Sequence, residues 1–137
     1  FPQSELYQDP PSIGLSKEGY LYVPDTCEIN GNHCRLHIAL HGCLQSADLD
    51  NMKQAYITET GYVEWADTNN IIVAFPQTVP IIFDDELQIP NLDFLMRMNG
   101  CWDIYGLYDW EYYNKNGRQM QAIRRLIDKI VRLEDTI

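Results

Sequence analysis

Positive charge is scarce in this chain. Lys and Arg number 10 against 20 Asp and Glu, a formal charge of −10, so the cationic surface that a phosphate backbone demands is missing and a nucleic-acid partner is disfavoured. The deficit is uneven, because Phe1 to Asn114 hold 17 acids and 4 bases while Lys115 to Ile137 hold 6 bases and 3 acids. Long hydrophobic runs are absent too. No uncharged apolar stretch approaches the roughly 20 residues that span a bilayer, which argues against a transmembrane helix and a membrane partner. No basic-headed apolar leader opens the chain, and Phe1-Pro2-Gln3 reads as the start of a trimmed piece rather than an initiation point. There is no CxxC pair, so the usual zinc frameworks have no support, and no cofactor is expected. A Gly-x-Ser-x-Gly box is missing as well. Gly14-Leu15-Ser16-Lys17-Glu18-Gly19 comes near, but Glu18 stands where glycine is needed, and Phe1 to Ile13 offers no buried strand to feed a nucleophile elbow. Ser16 is therefore read as a loop serine, and Ser4, Ser12 and Ser46 have no elbow context at all.

What the chain does contain suits one globular domain. Its 137 residues are 45% apolar and 22% charged, ordinary usage for a folded unit of this size. Cys27, Cys34, Cys43 and Cys101 allow three pairings. Cys27 and Cys34 flank Asn30-Gly31, a strong hairpin-turn signal, so a disulfide closing that turn is the natural reading and leaves Cys43 for Cys101. Free buried thiols and a zinc site are the alternatives. Disulfides imply an oxidising compartment, hence a secreted or periplasmic protein.

Residues 1–18, rich in Pro, Ser and Gln, read as an irregular lead-in. Tyr20-Leu21-Tyr22-Val23 is a short β-rich run ended by Pro24. Leu36, Ile38 and Leu40 alternate, which predicts a strand stopping at His41-Gly42, where glycine permits a tight turn. Asp48 to Thr60 has helical composition, and a second helical piece runs from Tyr62 to Asn69-Asn70. Ile71-Ile72-Val73-Ala74-Phe75 is a short apolar run closed by Pro76, the pattern of a strand covered on both faces. Gln77 to Gly100 reads as a long irregular connection with a short helix near Leu92 to Met96. Met120, Ile123, Leu126, Ile127, Ile130 and Val131 recur at helical spacing near the C-terminus. The order is a β-hairpin, then strand-helix-strand, a long loop and an amphipathic helix, which belongs to the α/β class.

Three constellations invite chemistry. His33, His37 and His41 are four apart; on a strand that spacing separates neighbours by about 13 Å, too far to share one ion, so no metal site is expected. His37 is then a hydrogen-bonded core histidine, whereas His41 sits where the strand ends. Cys43 with His41 or His37 as base would make a thiol enzyme, but the acidic surroundings and a ready partner in Cys101 oppose thiolate activation. Trp102, Tyr105, Tyr108, Trp110, Tyr112 and Tyr113 crowd into a dozen residues, either as core and rim packing or as a wall for an apolar substrate.

The segments Gly19-Tyr20-Leu21-Tyr22-Val23-Pro24, Cys34-Arg35-Leu36-His37-Ile38-Ala39-Leu40-His41-Gly42-Cys43-Leu44-Gln45-Ser46, Gly61-Tyr62-Val63-Glu64-Trp65-Ala66-Asp67-Thr68-Asn69-Asn70-Ile71-Ile72-Val73, Phe75-Pro76-Gln77, Gly100-Cys101-Trp102-Asp103 and Gly117-Arg118-Gln119-Met120-Gln121-Ala122-Ile123 together resemble the poly(3-hydroxybutyrate) depolymerase and esterase family. The resemblance runs in family order from about Gly19 to Ile130. It implies a partial α/β-hydrolase-like three-layer sandwich over residues 19–137, the oxyanion-side half and C-terminal portion of a circularly permuted member. It implies that His41-Gly42-Cys43 is the oxyanion turn, with the Cys43 backbone N–H as a donor, and that Trp102 and Tyr105 contact substrate. The Ser-His-Asp triad of the family has no counterpart here. Arg97-Met98-Asn99-Gly100, Ile104 and Leu107 depart from the family pattern around the aromatic wall.

The resulting expectation is a portion of a secreted carboxylic-ester hydrolase, inactive by itself, whose partners are a polyester or short-acyl ester substrate and a complementary half carrying the triad. A half-domain of this kind is expected to self-associate or to hold its partner segment tightly. The alternative is a non-catalytic module, derived from a hydrolase, that binds hydrophobic polymer.

Overall fold

A computed structural model of the chain describes residues 1–29, 34–49, 54–80 and 99–134. Its regular elements are β1 (Tyr20–Tyr22), α1 (Asp25–Ile29), β2 (Arg35–Ile38), α2 (Ala55–Thr58), α3 (Tyr62–Asn69), β3 (Ile71–Phe75) and α4 (Arg118–Glu134). The strands make one mixed sheet in the order β1-β3-β2. β3 runs antiparallel to β1, with Tyr20 opposite Phe75, and parallel to β2, with Arg35 opposite Ile71. A parallel partner demands a crossover, and α2 and α3 provide it.

The expected β-hairpin is not formed. β1 and β2 do not pair, because β3 lies between them. The chain turns helical at Asp25, directly after Pro24, and so leaves β1 without folding back beside it. The Asn30-Gly31 turn, His33 and the short helix expected at Leu92 to Met96 all lie outside the described residues. The helix expected over Asp48 to Thr60 is described only as Ala55–Thr58, with residues 47–49 in a turn.

β3 shows why both faces of this sheet are covered. Side chains alternate across a strand, so Ile72 and Ala74 join Leu6, Ile13, Leu15, Ala122, Leu126 and Ile130 in one cluster. Val73 and Phe75 join Ala39, Ile57 and Ala66 in the other. α3 ends at Asn70, whose φ of 54° is the left-handed stop that Asn tolerates. On α4 the buried stripe is Ala122, Leu126 and Ile130. Met120 and Val131, expected on that same face, are exposed, so with the half-buried Ile123 and Ile127 they form a second, partly exposed apolar stripe.

The first residues are irregular in path but carry core. Two 3-10 turns, Gln3–Glu5 and Pro10–Ile13, bury Gln3 and Ile13 completely. Gln3 acts as a side-chain bridge: its Nε2 donates to the Ser16 and Gln77 carbonyls, and its Oε1 accepts from the Gln77 amide. Gly14 ends the second turn at φ 75°, and a Cβ there would strike the Tyr108 ring at 2.5 Å, so this position needs glycine for both conformation and contact. Arg125 on α4 donates to the Leu6 carbonyl, and Lys129 pairs with Glu5. Among the described residues no helix is long and apolar enough to cross a membrane.

Candidate functional site

The turn that follows β2 is held by side chains from three directions. Ala39 still donates to Ala74 O, and then the chain leaves the sheet. Tyr56 Oη donates to Leu40 O at 2.9 Å, Trp102 Nε1 donates to His41 O at 2.9 Å, and His41 Nδ1 lies 2.8 Å from Gly42 O. Burial and the adjacent Tyr62 push the Tyr56 pKa up to about 12. Of the amides in the turn, Gly42 N–H donates to Gln45 Oε1, Leu44 N–H to Asn99 O and Gln45 N–H to Gly42 O. Cys43 is exposed, and among the described residues nothing accepts from its N–H. The left-handed position is Leu44, with φ 64°, not Gly42; a non-glycine residue persists there only because its surroundings fix it. At Gly42 the space for a Cβ is taken by the Gln45 carboxamide, 3.0 Å away.

Two disulfides are present, Cys27–Cys34 and Cys43–Cys101, with Cα atoms 5.9 and 4.3 Å apart, and no described cysteine is free. A thiol nucleophile at Cys43 is thereby set aside. The second bridge fastens the Leu40–Gln45 turn to Gly100-Cys101-Trp102. Thr78 reinforces the join: its Oγ1 donates to Gly100 O, and its own carbonyl accepts from Ser46 Oγ.

Trp102 is half-buried beside His41, with ring centroids 5.5 Å apart. With Leu40, Tyr112, Met120 and Ile123 it lines a shallow apolar hollow. Tyr105, expected beside it, is 56% exposed and does not line that hollow. Trp110 is 82% exposed. His37 corrects another expectation. It is exposed on the edge strand rather than held in the core, stacking 5.2 Å from Tyr62 above a second hollow with Trp65. Among the described residues no three His, Cys, Asp or Glu side chains gather as a metal site.

Asp103 and Asp109 are organising residues that pattern reading does not single out. The buried Asp103 carboxylate accepts from the Leu107, Tyr108 and Asp109 amides and so folds the aromatic loop around itself. Asp109 in turn accepts from the Arg118 and Glu111 amides, which hold its carboxyl below the usual range and cap α4. Gln119 links three segments, accepting from Asp103 N–H and donating to Ile13 O. The one available clue was Cys101-Trp102-Asp103 itself, a carboxylate followed by a loop with many amides and few other acceptors.

The comparisons bear directly on this arrangement. No family model matches the chain. It is 43% identical over 132 residues to the polyhydroxybutyrate depolymerase of Talaromyces funiculosus, covering 96% of this chain and 37% of that protein. It is 36% identical over 131 residues to the poly(3-hydroxybutyrate) depolymerase of Delftia acidovorans, covering 95% of this chain and 22% of that protein. The chain is homologous to one part of the polyhydroxybutyrate depolymerases. Two solved structures agree, a PHB depolymerase complexed with R3HB trimer and the crystal structure of PHB depolymerase from Penicillium funiculosum. Each is 42% identical, with a TM-score of 0.68, over 80% of this chain and 33% of the other. The family resemblance carried by the ordered motifs is thus borne out. The chain spans about a third or less of the depolymerases it matches, and the mixed sheet with its helices is the portion of a depolymerase-like fold seen here.

His41 is nearly fully buried. Burial lowers its pKa below the usual 6.5, opposed by the Gly42 carbonyl and more weakly by Asp48. The unfolded chain takes up this proton near the ordinary value while the folded chain resists it. The stability His41 contributes is therefore complete above about pH 6.5 and is lost as pH falls towards and through its folded value. Denaturant midpoints measured from pH 8 to pH 5 should fall, and His41→Asn should remove that share of the decline.

Proposed function

We propose that this chain supplies the oxyanion side of a secreted or periplasmic carboxylic-ester hydrolase acting on poly(3-hydroxybutyrate) or a related short-acyl ester. The serine nucleophile and its His and Asp partners come from a complementary segment. The observation that carries the reading is the N–H of the exposed Cys43, which has no acceptor among the described residues although the Gly42, Leu44 and Gln45 amides around it are engaged. An oxyanion hole needs such a pre-aimed donor, because reorganising one during the reaction wastes the stabilisation it offers. Attack by the serine would form a tetrahedral oxyanion held on Cys43 N–H; its collapse would break the ester C–O bond, expel the alcohol and leave an acyl-enzyme, which water would then hydrolyse to the acid and free serine. Trp102 and the exposed Tyr105 would contact the acyl chain. The two disulfides favour the oxidising compartment.

In this reading residues 19–137 are part of a larger α/β-hydrolase-like sandwich into which the lead-in is packed. The second apolar stripe on α4, with Leu40 and the outer edge of β2, would be where the complement sits, and self-association would use the same surface in its absence. The 137-residue chain alone should show no detectable turnover of short-chain p-nitrophenyl esters. Adding a complementary depolymerase segment carrying Ser, Asp and His should produce it. Turnover by the chain alone that survives Ser16→Ala would overturn the assignment.

The exposure of Trp65, Trp110 and Tyr113 favours one second reading, a non-catalytic module that adsorbs to hydrophobic polymer. Retention of the chain on polyester granules that is lost in Trp102→Ala, with no turnover under any complementation, would select it.

A further inference from the structure

We infer that His41 is a positioning residue that aims and polarises the Cys43 amide through the Gly42–Cys43 peptide. The inference rests on the proposed role of that amide and deepens it. His41 Nδ1 lies 2.8 Å from Gly42 O, an atom that can only accept, so Nδ1 carries the proton. Thr78 N–H, which can only donate, meets Nε2 at 3.3 Å, nearer than the Thr78 hydroxyl at 3.4 Å, so Nε2 keeps its lone pair for the amide. Two one-way partners thus select the neutral Nδ1–H tautomer.

The acceptor is not an arbitrary carbonyl. Gly42 C=O and Cys43 N–H belong to one planar peptide unit, so a donor that holds the oxygen directs the N–H the opposite way. Gln45 N–H holds the same oxygen at 3.2 Å. Donors on a carbonyl draw charge from the amide and make its N–H a stronger donor. The ring itself has no freedom to drift. Trp102 packs 5.5 Å away while bonding to His41 O, and Tyr56 meets the ring edge-on at 6.0 Å. Thr78 is anchored in turn through its hydroxyl to Gly100 O, beside the disulfide that holds Cys43. Burial keeps the ring neutral in the folded chain.

The test uses the 15N-labelled chain and the same chain complemented for ester hydrolysis. The wild-type imidazole should show a protonated Nδ1 and an unprotonated Nε2, and His41→Gln should move the Cys43 amide resonance. In the complemented hydrolase His41→Gln should lower kcat about 10- to 100-fold, less than the 10²–10³ for deleting an oxyanion donor outright, with KM little changed. His41→Asn, whose amide nitrogen reaches the position of Nδ1, should keep more of both the resonance and the rate. A protonated Nε2 in the wild type, or an unaltered kcat in a folded His41→Gln, would overturn the inference. If no complement gives turnover, the proposed function fails, and the tautomer and the Cys43 resonance still decide whether His41 holds this peptide.

Discussion

Replacing Cys43 and Cys101 together by alanine is expected to lower the free energy of unfolding by about 4 kcal/mol, against about 2 kcal/mol for the Cys27/Cys34 pair. The difference comes from the unfolded chain. Cys43–Cys101 closes a loop with a separation of 58 residues, whereas Cys27–Cys34 closes one of 7, and the longer loop removes more conformational entropy from the denatured ensemble. Inside the longer loop lie α2, α3 and β3, the whole crossover and the central strand. A domain of this size is held by roughly 5–15 kcal/mol in all, so this one bridge is a large share of its stability. Urea midpoints of the two alanine pairs, measured side by side, provide the check; equal losses would show that loop length is not the governing quantity. The larger loss should also loosen the Leu40–Gln45 turn, because Cys43 and Leu44 are tied to Cys101 and Asn99 in two successive residues.

What sequence reading reached and what it did not follow a physical division. Ile71–Phe75, the Tyr62–Asn69 helix with its asparagine stop, and Arg118–Glu134 were legible because each is set by local periodicity and end chemistry. The strand order was not, because β1 and β2 are neighbours in sequence and the signal for β3 between them lies some 50 residues away along the chain. His37 was misjudged for a related reason. Alternation places His37 opposite Leu36 and Ile38, but only the tertiary structure shows that β2 is outermost in the sheet and that His37, against Tyr62 of α3, stays exposed. The lead-in was read as irregular, which it is, yet Gln3, Leu6, Ile13 and Leu15 are core. Its links are side-chain bonds to Gln77 and to α4 residues over 100 positions distant, and no window of local pattern contains them. At the candidate turn, motif resemblance points to His41-Gly42-Cys43, whereas the contacts of Thr78 and Tyr56 were not legible, since each reaches the turn only through tertiary packing.

Phe75→Ala is expected to be the most damaging single core substitution, costing about 3–5 kcal/mol, while Phe75→Leu should cost about 1.5 kcal/mol or less. Phe75 is fully buried at the end of the central strand. It meets Tyr56 and Tyr62 edge-on, with centroids 6.4 and 6.2 Å away. The alanine variant leaves a void that two tyrosines and the sheet cannot close, so lost transfer energy and cavity cost add together. Leucine refills most of the volume but loses the ring-edge contacts. The consequence extends beyond stability, because Tyr56 is the residue that holds Leu40 O, directly before His41. Removing its packing partner should free Tyr56 and let the Leu40–Gln45 turn fluctuate even where the fold survives. Equilibrium urea denaturation of the two variants gives the energies. Amide hydrogen exchange along residues 40–45 reads the second effect, which should be large in Phe75→Ala and slight in Phe75→Leu. If the alanine variant unfolds at an unchanged urea midpoint, the second cluster is not the support of this turn.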